Sequence, residues 1–592
     1  TEIIMDKYKW DLTKFYKNKE EFNKEIEEVN RLLEELSKYK GKILESDKTL
    51  LEVLELDSKI DLLIERLYVY SFLGYYDNME DSEFQDYKEK AISTVNKAYS
   101  ERTFINPEIL SSSYEKVLEL ISKNKDLAKY KFILEKIFRR KEHVLSESEE
   151  KILSELSDTF RIPNDAYDAI NNTDVRFGTL KDENGKKIEL TTSNYTKLIS
   201  SKDRKVRKNA FKKEYEYYKN HINTISALYI GKVKIDGFSA KTRKYKNILD
   251  MYLFSDKVSD KLYKNLIKIT NKNTKYLKDY YRIKAESLGF KPHMYDIYVN
   301  TSSIPEKEIS YEEGIKIVNE ALSPLGKDYL KTFNKLLETN CVDVYPKAKK
   351  RSGAYQWGAY GVDPYVSLNY ENNIDSVSTL AHEMGHAMHT YYSSKNQEYI
   401  YADYPIFLAE IASTVNEVLL SNYLIKNTDN KEEKIYYIVE FLDKFKATVF
   451  RQVMFAEFEH LIHKKYEAGE SLTKDLLCKT YYDLNRKHFS GAVTVDKDIQ
   501  YEWARIPHFY TPFYVYKYAT GFISALVIAD KLENDKAFKD KYIEFLSSGS
   551  SDYPLELLLK LGIDISDEKV LNRAFDMFNE KVKLLKKYTS GE

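Results

Sequence analysis

The sequence predicts a mainly α-helical protein with two small β elements. Three observations carry this. Only 11 prolines and 19 glycines punctuate 592 residues, so long helices meet few breakers. The stretch Asn18–Tyr39 repeats apolar residues at helical spacing and stops short of Gly41. Strand signals are confined to two places, near residues 175–190 and 342–370.

The elements follow in order. Helical segments continue to about Leu153 and carry no chemical signature. Their charge-rich stretches, such as Glu20–Glu35, read as solvated helix faces. Val175–Leu180, Glu183-Asn184-Gly185 and Ile188–Leu190 form a hairpin pattern. Helices resume near Asn194. A second small sheet is expected over Val342–Tyr370, in which Tyr365–Tyr370 alternates and is rich in β-formers. An extended peptide could add to that strand through backbone hydrogen bonds. Gly353, Gly358 and Gly361 would let its backbone come close, or they are ordinary turn glycines.

Bulk properties bound the possibilities. Lys and Arg total 93 and Asp and Glu 94, a formal net charge of −1. No basic excess argues for a nucleic-acid partner. No run of 18 apolar residues argues for a membrane span. Thr1–Lys7 lacks the charged-then-apolar pattern of a secretory leader. Two cysteines, Cys341 and Cys478, make no disulfide framework. A reducing cytoplasm is the expected compartment. Oligomeric state is not legible.

The chemistry begins at Ala381-His382-Glu383-Met384-Gly385-His386, a His-Glu-x-x-His pattern in an apolar helical segment. Residues four apart on a helix lie nearly above one another. His382 and His386 therefore offer two imidazoles to one zinc ion, and Glu383 stands beside them as a general base for a metal-activated water. Gly385 is unusual, because glycine inside a helix costs about 1 kcal/mol against alanine. It implies that another backbone packs closely there.

A third ligand is needed. His389 shares the helical face, but three histidines would span about 10 Å of axis and converge poorly on one ion. Ile406–Glu417 reads as a following apolar helix with acids at Glu410 and Glu417. A carboxylate on such a helix is costly unless paired or metal-bound. Glu410 is the preferred ligand and Glu417 the residue that orients a histidine. Asp403, in a loop-like stretch, ranks below it. A last cluster holds His508, Tyr510, Tyr514, Tyr516 and Tyr518. A tyrosine hydroxyl or histidine N–H there could stabilise an oxyanion; at least one of these tyrosines should instead be core. Tyr514 ranks first and Tyr518 second, sharing a face if the segment is helical.

His382–His389 followed by Phe407–Glu417 resembles the zinc site of the oligoendopeptidase F family, related to thimet oligopeptidase. Ser352–Tyr355 and Tyr360–Asn369 resemble that family's glycine-rich segment and following strand. Arg505–Tyr510 and Phe513–Gly521 resemble its second catalytic segment, in which relatives use a histidine and tyrosines. The recognisable parts run from about Thr191 to Phe578, and Tyr8–Leu12 is also similar.

The resemblance implies a helical metallopeptidase with a deep substrate cleft and a small sheet beside the zinc-binding helix. It implies hydrolysis of internal bonds in short, unfolded oligopeptides, with one Zn²⁺ per chain. His508 and the tyrosines would then serve the oxyanion, and Gly353, Tyr360, Gly361 and Tyr510 the substrate. The chain divides into an N-terminal helical domain, 1–190, ending in the hairpin, and a catalytic domain, 191–592. Two other readings compete: a helical zinc carboxypeptidase, with Arg505 capturing the terminal carboxylate, and a zinc-stabilised peptide-binding protein. The retained base Glu383 weighs against the latter.

Overall fold

The computed structural model describes residues 6–591. The leader reading for Thr1–Met5 lies outside them. Helix makes up 70% of the chain, and the sheets are small. The chain forms two compact units, each entered three times. The first comprises Thr1–Glu142, Glu306–Tyr423 and Ile528–Leu561; the second comprises His143–Pro305, Leu424–Val527 and Gly562–Glu592.

In the first unit, helix α1 spans Lys19–Ser37 and buries Phe22, Val29, Leu32, Leu33 and Leu36. The Asn18 side chain caps it by accepting the Glu21 N–H, which satisfies one of the free donors of the first turn. Helix α2, Asp47–Asp77, starts with a Ser46/Thr49 capping box. Helix α3, Ser82–Arg102, follows with Asp81 as its cap. The core they share includes Trp10, Phe15, Phe22, Leu67, Tyr70 and Tyr87, and it reaches Cys341 and Tyr365. Trp10 Nε1–H donates to the carbonyls of Cys341 (3.0 Å) and Val366 (2.9 Å). The Tyr8–Leu12 opening is thus fastened to the sheet.

The 175–190 hairpin, in the second unit, consists of β1 (Thr179–Lys181) and β2 (Lys187–Glu189), with Leu180 opposite Ile188. Back in the first unit, β3 (Val342–Asp343), β4 (Tyr355–Trp357) and β5 (Tyr365–Ser367) form a sheet in the order β3-β5-β4. Strand β3 runs parallel to β5, and β4 antiparallel. This corrects one expectation. Strand β5 is flanked on both sides and all three of its residues are buried, so no peptide can add to it. The edge strand toward residues 355–357 is β4. Sequence alternation marked a strand but not its rank in the sheet, which depends on non-local pairing.

In the second unit, Phe445 packs against Phe522, Phe575 and Phe578, with ring centroids 4.8–5.7 Å apart. Arg207 and Asp296 form a buried ion pair at 2.7 Å.

Candidate metal centre and active site

The helix Ile374–Asn396 carries the motif, with Asn373 as its cap. Leu380, Ala381, Met384, Ala387 and Met388 bury its apolar side. A second helix, Ile411–Lys426, lies against it. A Cβ on Gly385 would stand 2.6 Å from Ser413 Cα and 2.7 Å from the Ala412 carbonyl oxygen. No side chain fits there, as the odd glycine implied. Asn416 Nδ2–H donates to the Ala381 carbonyl at 3.0 Å and locks the two backbones together. Sequence reading did not single out Asn416; a buried amide on an apolar helix is its only signal.

This contact brings three side chains together. His382 Nε2 is 3.5 Å from Glu410 Oε2, and His386 Nε2 is 3.4 Å from the same oxygen. The donor atoms of His382, His386 and Glu410 all lie within 4.8 Å of one another, and this is the metal-capable group found among the described residues. Donors about 2.0–2.1 Å from a tetrahedral zinc ion stand about 3.3–3.5 Å apart, so the residues fit that ion. Glu417 hydrogen-bonds His382 Nδ1, leaving Nε2 turned toward Glu410. Glu410 is not inside a helix as expected: it precedes Ile411 in a turn and accepts the Thr414 N–H on its carbonyl. Ser413 Oγ–H also reaches its carboxylate at 3.2 Å.

Electrostatics follow from this crowding. Burial pushes the Glu410 carboxyl upward, but the His386 hydrogen bond and the two imidazoles outweigh it and hold it down to about 2. Burial raises the Glu383 carboxyl, and the flanking imidazoles only partly offset that. Burial disfavours charge on His382, yet Glu417, Glu383 and Glu410 raise its pKa.

Residues 197–577 match the sequence profile of Peptidase family M3, and residues 108–177 match that described as Oligopeptidase F. The chain belongs to peptidase family M3. This M3 peptidase is 39% identical to Oligopeptidase PepF of Bacillus subtilis, over 97% of its own length and 86% of that protein. It is 36% identical to an oligoendopeptidase F homolog of Lactococcus lactis, over 99% and 98%. Among solved structures, oligoendopeptidase-F from Enterococcus faecium superposes with a TM-score of 0.74 at 30% identity, covering 97% of this chain and 99% of that one.

Two residues weighed as ligands lie elsewhere. His389 of the M3 chain is buried and stacks on Tyr404 at 3.7 Å, and burial holds its pKa down to about 3. It is a neutral core histidine. Asp403 lines a cavity and its carboxyl is raised by burial.

The last cluster lies in the second unit. His508 sits in a short 3₁₀ turn, Pro507–Tyr510. Its Nε2 is 3.3 Å from the Tyr518 hydroxyl, and burial lowers its pKa. The following helix begins only at Tyr516. Tyr514 therefore precedes it, although its ring still meets that of Tyr518 at 5.6 Å. Tyr516 is the core member, buried against Tyr263. Tyr510 is 8% exposed and stacks on Tyr167. In the first unit, Gly353 and Gly361 adopt left-handed φ of 80° and 89° with open space at their Cβ positions. They turn the chain on either side of β4. Tyr360 donates its hydroxyl to the Gln397 carbonyl at 2.9 Å.

Proposed function

We propose that this M3 peptidase is a zinc-dependent endopeptidase acting on short, unfolded oligopeptides. The observation that carries the reading is the donor triad with 3.4 and 3.5 Å edges and Glu383 next to it in the chain. The oligoendopeptidase names of its relatives support the substrate class.

His382, His386 and Glu410 would hold the ion, and Glu417 fixes the His382 ring through its hydrogen bond to Nδ1. Zinc in such a site polarises a carbonyl and acidifies a water. Glu383 takes the proton of the attacking water and returns it to the leaving amine; burial, which raises its carboxyl, suits it to both halves of that transfer. His508 and Tyr514, with Tyr518 as alternate donor, stabilise the oxyanion. The peptide runs along the edge of β4 between Gly353 and Gly361, past Tyr360. Tyr510, 8% exposed and packed on Tyr167 and Tyr229, serves the substrate site through that packing rather than by touching the peptide. The catalytic domain takes in 191–592, with 1–190 preceding it. The reading places the protein in a reducing cytoplasm, supported by its two cysteines, both free thiols; separately, no described helix is long and apolar enough to cross a membrane.

Mass spectrometry of a peptide-library digest tests this. Internal cleavage that chelator abolishes and zinc restores is the expected result. Cleavage that requires a free C-terminal carboxylate would instead make it a carboxypeptidase, and intact peptides would leave only binding.

A further inference from the structure

The second unit holds a small cavity of about 10 Å³, room for one atom-sized occupant. It lies at a π-helical turn, Lys446–Phe450, that joins the helices Lys431–Phe445 and Arg451–Glu467. Such turns widen a helix by one residue and collect at functional sites. Lys446, the first residue of the turn, and Arg451, directly after it, both line the cavity, as do Tyr298 and Glu502.

Cations outnumber acids in its wall. Lys446 is 5% exposed. Its ammonium makes no hydrogen bond and no ion pair among the described residues; it meets the ring faces of Tyr298 at 4.3 Å and Phe489 at 5.8 Å. A buried ammonium without an acidic partner is costly, and a ring face offsets only part of that. Arg451 has a carboxylate but shares it: Glu502 takes Arg451 at 3.1 Å on Oε1 and Arg505 at 3.3 Å on Oε2. Tyr215 and Tyr481 also donate their hydroxyls to Glu502. Asp443, three residues before Lys446, accepts the Tyr280 hydroxyl at 2.6 Å. The tyrosines report the resulting field. Burial raises the phenols of Tyr195 and Tyr215 in the same wall. Tyr298 moves down instead, because Arg451 and then Lys446 outweigh its burial. The Tyr298 hydroxyl accepts from Arg451 at 3.4 Å, and its own proton has no acceptor among the described residues.

We propose that this cavity is a halide site, in which one chloride ion sits between the Lys446 ammonium and the Tyr298 hydroxyl with the Arg451 guanidinium beside it. Size selects among anions. Room for one atom-sized occupant admits a monatomic ion and excludes sulfate, phosphate and carboxylate groups. The unused groups are donors, the three N–H bonds of Lys446 and the O–H of Tyr298, and an anion is what they recognise. A water molecule would fill the space but leave the ammonium uncompensated; a monovalent anion balances it. Arg505, which shares Glu502, stands three residues before His508, so the ion also steadies the base of that turn. None of these residues belongs to the unit that carries the metal triad, and the inference does not depend on the peptidase reading.

The test uses zinc-loaded full-length protein in gluconate buffer, with chloride replacing gluconate at constant ionic strength. The wild-type melting temperature should rise saturably, by about 3 °C or more, as for any ligand that binds the folded state alone. Lys446→Met keeps an unbranched stem and removes the charge, and its melting temperature should not respond. Tyr298→Phe removes one donor and should shift the chloride midpoint upward by about tenfold. Bromide reports the position: anomalous diffraction from bromide-soaked wild-type crystals should place one peak in the cavity, in contact with Lys446 and Tyr298. That measurement decides even if Lys446→Met does not fold. A wild-type melting temperature indifferent to chloride, a response that persists in Lys446→Met, or a cavity that takes water and no bromide overturns the site.

Discussion

The metal centre and the His508–Tyr518 segment are both rich in titratable side chains, but their backbones are held in different ways. At the metal centre two helices touch backbone to backbone at Gly385 and Ala412, and Asn416 ties them again at Ala381. Every donor is then fixed by helical geometry or by the first turn of a helix. The other segment is a short turn followed by Phe513 in a left-handed conformation, φ 55°, which is strained for a bulky side chain. A buried carboxyl group, Glu459, accepts the Phe513 N–H at 3.1 Å, and His508 meets Tyr518 at 3.3 Å. Close helix packing holds groups through many backbone and side-chain contacts at once. A turn pinned by single hydrogen bonds places them through a few contacts, each of which one substitution removes.

Six substitutions, in four tests, sharpen or break this contrast. The largest effect is expected for Glu383→Gln. Activity should fall by about 10²–10⁴, the usual share of a general base, while zinc stays near one per chain by elemental analysis. Near-normal turnover would remove Glu383 from the chemistry; lost zinc would make it a ligand.

Next is Tyr514→Phe, expected to lower kcat by about 10²–10³ with zinc content unchanged. Tyr518→Phe is its partner measurement. If the large loss follows Tyr518 instead, the donor is the residue in contact with His508. If neither variant loses activity, the tyrosines are packing and the contrast between the two regions is purely structural.

Glu410→Ala should weaken zinc more than Glu417→Ala, for which a loss of about 10- to 100-fold in affinity or activity is expected. Equilibrium zinc titration of both variants decides, and the reverse order would exchange their roles.

The smallest effect should come from Gly385→Ala. Its methyl would sit 2.6 Å from Ser413 Cα, and such overpacking costs about 1–3 kcal/mol. The melting temperature should drop, and zinc affinity with it, because the helices that carry the donors are forced apart. Unchanged values would mean that the contact yields freely and the metal centre is no stiffer than the tyrosine segment.

By itself the sequence determined the helices and what shares a helical face. The α-helical hydrogen bond spans four residues, so the pairing of His382 with His386 and the need for glycine at 385 are written locally. The same locality set its limits. It put Glu410 inside a helix, whereas the chain is still turning there, and it put Tyr514 on a helix that starts two residues later. Tertiary structure alone decided which strand lies at the edge, because β3 and β5 come from segments separated by more than 20 residues and their pairing leaves no local trace. It alone brought Asp57, Asp61 and Glu65 of α2 to a cavity shared with Asp403. Spaced along a charge-rich helix, those acids read as solvated; only the fold gives them a common wall.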